Sequence, residues 1–124
     1  MNVLVLEDDA RRHLAFTRKL IGTNLQIVET AAEAIGLLEE RDWDYLFLDH
    51  DLGGQQMVES GPGTGYEVAV WLEEHEDRQP PNIVIHSFNP DGAKKMHDAL
   101  PKAIVAPGCW NTIEIKQTDF SKYP

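Results

Sequence analysis

The chain has 124 residues, the size of one domain and too short for two ordinary ones. Apolar residues at 42% suffice for a buried core, and a charged share of 26% is ordinary for a folded protein, so wholesale disorder is excluded. Twenty-one acids against eleven Lys and Arg leave a formal charge of −10, a surface that repels duplex nucleic acid while a local cation site still accepts a single phosphate. The lone Cys109 excludes an intrachain disulfide and cannot by itself build a thiolate metal site. No apolar run approaches the roughly 18 residues of a membrane span. Met1-Asn2-Val3-Leu4 has no basic stretch and meets an acid at Glu7, so it does not read as a signal peptide, and a cytoplasmic location is expected.

Residues 3–6 are apolar and β-branched and break into Glu7-Asp8-Asp9, the pattern of a buried strand entering a polar loop. Over 10–21, Ala10, Leu14, Ala15, Leu20 and Ile21 recur at helical spacing, with Phe16 widening the stripe. Asp8 or Asp9 supplies the cap and Gly22 the stop. Residues 25–28 form a second strand. Thr30 and Glu33 make a capping box for a helix facing inward through Ala31, Ala34, Ile35 and Leu38. Residues 45–48 form a third strand, ending at Asp49-His50-Asp51. The stretch 52–63 holds Gly53, Gly54, Gly61, Gly63 and Pro62 and reads as a mobile insert loop of the length that tends to be functional.

Thr64 and Glu67 open a third helix with Val68, Trp71 and Leu72 inward, and Pro80-Pro81 stops the chain before a fourth strand at 83–85. That strand ends at His86-Ser87. Asn89-Pro90 caps and starts a fourth helix carrying Ala93, Met96 and Leu100, and 103–106 is a fifth strand. Strands alternating with helices imply one α/β domain over 1–124, a parallel sheet covered on both faces. Ligands of such sheets bind at the carboxyl ends of the strands, where the three polar clusters fall.

Glu7, Asp8 and Asp49 converge there if the first and third strands are neighbours. Carboxylates that close repel unless a hard cation joins them, and Mg²⁺ or Mn²⁺ suits an all-oxygen set. Capping and turn formation are the simpler roles for Asp8, Asp9, Asp49 and Asp51, but capping needs one acid, not a run of three. Strand alternation sends Asp49 and His50 to opposite sides, and likewise Ser87 and His86. With the third and fourth strands adjacent, His50 and His86 are expected on one side of the rim and Asp49 and Ser87 on the other. The two imidazoles then serve as acid and base, join Asp51 around a borderline metal, or bond loop carbonyls and support the acids. Arg11 and Arg12 either clamp a phosphate or pair with nearby acids. Asn89 either holds an anion or simply caps its helix. His13, His75 and His97 read as packing or surface residues, and of the three tryptophans only Trp110 is placed to meet a nucleobase.

These clusters resemble the receiver domains of two-component signalling. There an acidic pair after the first strand and an Asp after the third hold Mg²⁺, and the Asp accepts a phosphoryl group. Glu7 and Asp8 match the pair, Asp49 the acceptor, and Ser87 the hydroxyl that closes the fourth strand. The resemblance implies a flavodoxin-like three-layer sandwich with a five-stranded parallel sheet in the order 2-1-3-4-5. Departures narrow it. Ala106 stands before Pro107 where a receiver has Lys, and 112–116 alternates like a strand within an atypical extension over 108–124, so an extended segment is expected in place of the final helix. Asp49-His50-Asp51-Leu52-Gly53 with His86-Ser87-Phe88-Asn89 looks like the divergent cyclic-phosphate-processing receiver domains of bacteria and phages.

That resemblance implies metal-dependent hydrolysis of a cyclic phosphate on a nucleotide or RNA end. Glu7, Asp8 and Asp49 would hold the ion, with His50, His86, Asp49 and Asp51 as the catalytic groups. Ser87, Asn89, Arg11 and Arg12 would hold the phosphate. The alternatives are a module that binds a cyclic nucleotide or phosphate without turnover and an atypical phosphoacceptor. The expected partner is a small phosphorylated or cyclic-phosphate ligand, with neither duplex nucleic acid nor membrane.

Overall fold

The computed structural model describes residues 1–54 and 56–109. The elements run β1 (Asn2–Leu6), α1 (Ala10–Lys19), β2 (Asn24–Val28), α2 (Ala31–Glu40), β3 (Tyr45–Leu48), α3 (Gly65–Glu74), β4 (Asn82–Ile85), α4 (Pro90–Ala99) and β5 (Ile104–Val105), with a 3-10 turn at Glu76–Arg78 before β4. The strands pair in parallel in the order β2-β1-β3-β4-β5, as the resemblance implies. The expected strand at 112–116, the extended segment replacing a final helix, and Trp110 lie outside the described residues. Among the described residues, no helix is long and apolar enough to cross a membrane.

Local chemistry sets where the helices begin. Thr30 Oγ1 accepts the Glu33 N–H at 3.2 Å and donates to Glu33 Oε1 at 2.9 Å, so the box closes between side chains. Thr64 Oγ1 accepts from Tyr66 N, while Glu67 takes the Gly63 N–H. Asn89 Oδ1 accepts the Gly92 N–H at 3.0 Å, with Pro90 in the first turn. Asp9, rather than Asp8, caps α1 through the N–H groups of Arg11 and Arg12.

Strand alternation divides the core in two. Leu4, Leu6, Leu46, Leu48 and Ile85 pack under α2, α3 and α4 against Leu38, Leu72 and Met96. Val3, Val5, Phe47 and Val84 face α1 and meet Phe16 and Leu20. The inward stripe of α1 is therefore Phe16 and Leu20, four residues apart; Leu14, expected on it, is 50% exposed. Trp71 is only partly buried and stacks on His75 with ring centroids 4.2 Å apart.

Candidate functional site

The register of the strands builds the site. Leu6 pairs with Leu48, and Leu48 with Ile85. The ladder runs one residue past those strand ends, since Asp49 N bonds Leu6 O at 3.1 Å and His86 N bonds Leu48 O at 2.9 Å. One step beyond the paired leucines, Glu7, Asp49 and His86 thus stand in a row across β1, β3 and β4. They share the parity of Val5, Phe47 and Val84 and so face α1. His50 and Ser87 follow and face α4. The expected pairing of His50 with His86 on one side does not hold: alternation gives the parity of each strand, but the register sets Asp49 opposite His86.

All three side chains of this row are buried, and one ligand atom from each lies within 4.8 Å of the others. His86 Nε2–H donates to Glu7 Oε1 at 3.0 Å, and the edge of the His86 ring meets Phe16 at 5.1 Å between centroids. Glu7 Oε2 accepts the N–H groups of Asp8 and Asp9, each at 3.1 Å. His13 Nε2 bonds the Glu7 carbonyl from α1. Asp49 Oδ1 accepts its neighbour's N–H, from His50, at 2.8 Å, whereas the buried Oδ2 accepts no hydrogen bond. Arg12 reaches in from α1, its Nη1 3.7 Å from Glu7 Oε1 and 3.8 Å from Asp49 Oδ2, and its guanidinium lies over Phe88, 5.5 Å from the ring centroid. Arg11 is exposed and is tied to the rim by its main-chain N–H on Asp9.

Burial and the charge of Glu7 push Asp49 up to about 8, against the opposing pull of the His50 N–H and Arg12. Burial also favours the neutral form of Glu7, but its bond and charge interaction with His86, the Asp9 N–H and Arg12 outweigh that and hold it below the ordinary carboxylate value. Burial lowers His86, with Glu7 pulling the other way. At neutral pH the Glu7–Asp49 pair therefore keeps one proton. Two carboxylates and one imidazole in contact, with one buried oxygen left without a donor, fit a divalent cation.

The α4 side is arranged differently. His50 is fully buried; its Nδ1–H donates to Asp51 Oδ1 at 2.8 Å, and its Nε2 accepts from Ser60 Oγ at 2.8 Å. Asn89 Nδ2 donates to Asp51 Oδ1 and to the Val58 carbonyl, each at 3.0 Å, while Ser87 Oγ accepts the Asn89 N–H. Burial would raise Asp51, yet its bonds from His50, Asn89 and the Met57 N–H hold it below the ordinary value. These contacts, with Gly54 N–H on Asp8 Oδ2 at 2.7 Å, fasten the stretch expected to be a mobile loop at several points. Gly53 and Gly54 carry φ of 73° and 76°, a left-handed turn that glycine adopts freely.

A cavity of about 430 Å³ opens at the Asp49 position of the row, lined by Asp8, Arg12, Asp49, Asp51, Met57 and Phe88 among others. Sequence reasoning brought Glu7, Asp49, Asp51, Asp8 and Arg12 to this edge. It did not place His86 among the acids or find Ser60, and it passed over two glycines that allow close approach. A Cβ on Gly65 would lie 1.8 Å from the Asp49 carbonyl oxygen, and one on Gly92 would lie 2.4 Å from His50 Cγ. The usable signal was the alignment of the last apolar residues of β3 and β4, Leu48 and Ile85.

Sheet order and the acid-lined edge define a receiver-fold protein. Among solved structures, the response regulatory domain of MrkE from Klebsiella pneumoniae superposes with a TM-score of 0.69 at 15% identity, over 98% of this chain and 97% of that one. TrrA from Thermotoga maritima, in complex with Mg²⁺-BeF, gives 0.69 at 17% identity, over 96% and 98%. A CheY-like receiver domain from Methanospirillum hungatei gives 0.71 at 16%, over 97% and 90%. Identities this low show the fold alone. Curated protein sequences include no match to the chain. Residues 3–102 match the cyclic-phosphate processing receiver domain family, and the chain belongs to it.

Proposed function

We propose that the protein hydrolyses a cyclic phosphate on a nucleotide or RNA end with the help of a divalent cation, Mg²⁺ or Mn²⁺. The observation that carries this reading is the buried Glu7–Asp49 pair, whose Asp49 lines the cavity with one oxygen accepting no hydrogen bond and Arg12 beside it. Glu7 and Asp49 would hold the ion, with Asp8 on the wall of the same cavity. When bound, such an ion polarises phosphoryl oxygens and lowers the pKa of an attacking water. The solved complex of TrrA with Mg²⁺-BeF supports an Mg²⁺-compatible edge in this fold.

The chain's own residues take the remaining parts. Arg12, whose guanidinium lies 3.7 Å from Glu7 and 3.8 Å from Asp49 on the cavity wall, would pair with the phosphate there. Asp51, ionised and on the cavity wall, would accept the proton of the attacking water and return it to the ribose oxygen whose bond to phosphorus breaks as the ring opens. His50 holds Asp51 in position from behind, and Asn89 bonds the same oxygen. Ser87 steadies Asn89 through its main-chain N–H. Arg11, exposed at the rim, adds positive charge at the approach.

A phosphoacceptor role has less support here, because Ala106 contributes no ammonium and, among the described residues, the cation recorded beside Asp49 is Arg12. Nucleoside 2′,3′- and 3′,5′-cyclic monophosphates incubated with the protein and Mg²⁺ or Mn²⁺, followed by ³¹P NMR, test the proposal. A phosphomonoester resonance is expected, and its absence with Asp49→Ala. An unchanged substrate resonance with both ions rejects hydrolysis, and a shifted one without product leaves a binding module.

A further inference from the structure

We propose that His86 is itself a metal ligand and that the site prefers a first-row transition ion, such as Mn²⁺, Co²⁺ or Zn²⁺, over Mg²⁺. The inference rests on the reading that a cation sits at the Glu7–Asp49 pair, and it changes the third donor from oxygen to nitrogen. Asp8, the expected third carboxylate, turns its Oδ2 to the Gly54 N–H at 2.7 Å. The third ligating atom that converges with Glu7 and Asp49 is instead on His86, within the 4.8 Å cluster, and all three residues are buried.

Two further observations point to a ligand in that cluster. Asp49 is 2% exposed, and its Oδ2 has no hydrogen-bond partner, so a polar oxygen is held out of water at the point where the other two ligand atoms converge. Glu7 has one oxygen fixed by the N–H groups of Asp8 and Asp9, which leaves Oε1 directed at His86 Nε2, 3.0 Å away. Orienting bonds of this kind set ligand geometry in metal sites. Phe16, edge-on to the imidazole, fixes its plane. A cation between His86 and Glu7 would take the place of the Nε2 proton, which passes to Nδ1 so that the imidazole ligates in its neutral form. Imidazole suits transition ions, whereas Mg²⁺ selects oxygen donors and keeps its waters.

Pulsed EPR of Mn²⁺ bound to the wild-type protein should show the coupling of a directly bound nitrogen. Titration calorimetry should give Co²⁺ or Zn²⁺ an affinity at least about tenfold above that of Mg²⁺. His86→Asn should abolish the nitrogen coupling and remove most of that preference, while Mg²⁺ affinity moves by less than about threefold. Thermal melting checks that the variant folds, and the wild-type coupling stands whether it does or not. Ion binding without nitrogen coupling, at similar affinities for Mg²⁺ and Co²⁺, overturns the inference and leaves the hydrolytic reading with an oxygen-only site. Failure of every cation to bind overturns both.

Discussion

The two sides of the sheet edge differ in how completely their polar groups are paired. On the α4 side, His50 uses both ring nitrogens, Asn89 both ends of its amide, and Ser87 accepts the Asn89 N–H. One residue away in each strand, on the α1 side, Glu7 and Asp49 lie together with a buried oxygen that accepts nothing. Buried polar groups that are fully bonded specify a structure, whereas an unpaired one is a penalty that calls for another explanation. Labour is divided between the two sides. The satisfied side holds loop and helix in place, and the unsatisfied side is kept for a ligand.

The largest effect should come from breaking the satisfied side. His50→Ala removes a fully buried ring, takes one of three donors from Asp51 and leaves Ser60 Oγ without the imidazole it bonds, so a loss of about 3–5 kcal/mol is expected in chemical unfolding. Gly92→Ala keeps the imidazole but drives a methyl to 2.4 Å from its Cγ, and should reproduce part of the loss. In variants that stay folded, cation affinity should change little. If His50→Ala melts like the wild type, the α4 network is not what holds the loop.

A smaller effect is expected on the α1 side, in metal-free protein with a chelator present. Asp49 is raised from 3.8 to about 8 by burial and by Glu7. Its stabilising contribution is complete below about 4 and is lost as pH rises through about 8, because the unfolded chain gives up that proton first. Glu7 and Asp51, both lowered, act in the opposite sense on the acid side, and His86, lowered from 6.5, adds no slope above pH 7. Between pH 7 and 9, urea unfolding should therefore show a decline of about 1–2 kcal/mol. Asp49→Asn should flatten it. A wild-type profile that is flat over that window would mean the pair carries no retained proton.

The alternation of strands and helices that implies a parallel sheet is legible because each apolar run is short and bounded by an acid, a Gly or a Pro, whereas the strand order came from the resemblance to receiver domains. Convergence of Glu7 with Asp49 follows from the same alternation once β1 and β3 are neighbours. The position of His86 does not, since parity says which side a residue faces but not which residue stands opposite. Register is fixed by pairing Leu48 with Ile85, a contact between strands far apart in sequence. The fastening of residues 52–63 was hidden for a related reason. Four glycines and a proline read as freedom, but the partners that restrain the stretch, Asp8, His50, Asp51 and Asn89, come from three other places in the fold.

The smallest expected effect decides where Asp8 belongs. Its Oδ2 accepts the Gly54 N–H at 2.7 Å, so in this arrangement Asp8 works for the loop and borders the cavity without joining the buried row. Asp8→Asn preserves the shape of the side chain and keeps a carbonyl oxygen for Gly54, so stability should move by less than about 1 kcal/mol. Removing a negative charge beside the site weakens a bound cation through space alone, and at a partly exposed position that is a modest, salt-screened term. Cation affinity should then fall by less than about threefold, and less still at high ionic strength. Calorimetric titration of Mn²⁺ at two salt concentrations separates the possibilities. A fall above about tenfold that persists in high salt would mean direct ligation, placing Asp8 with the unsatisfied side and drawing the metal set back towards three carboxylates.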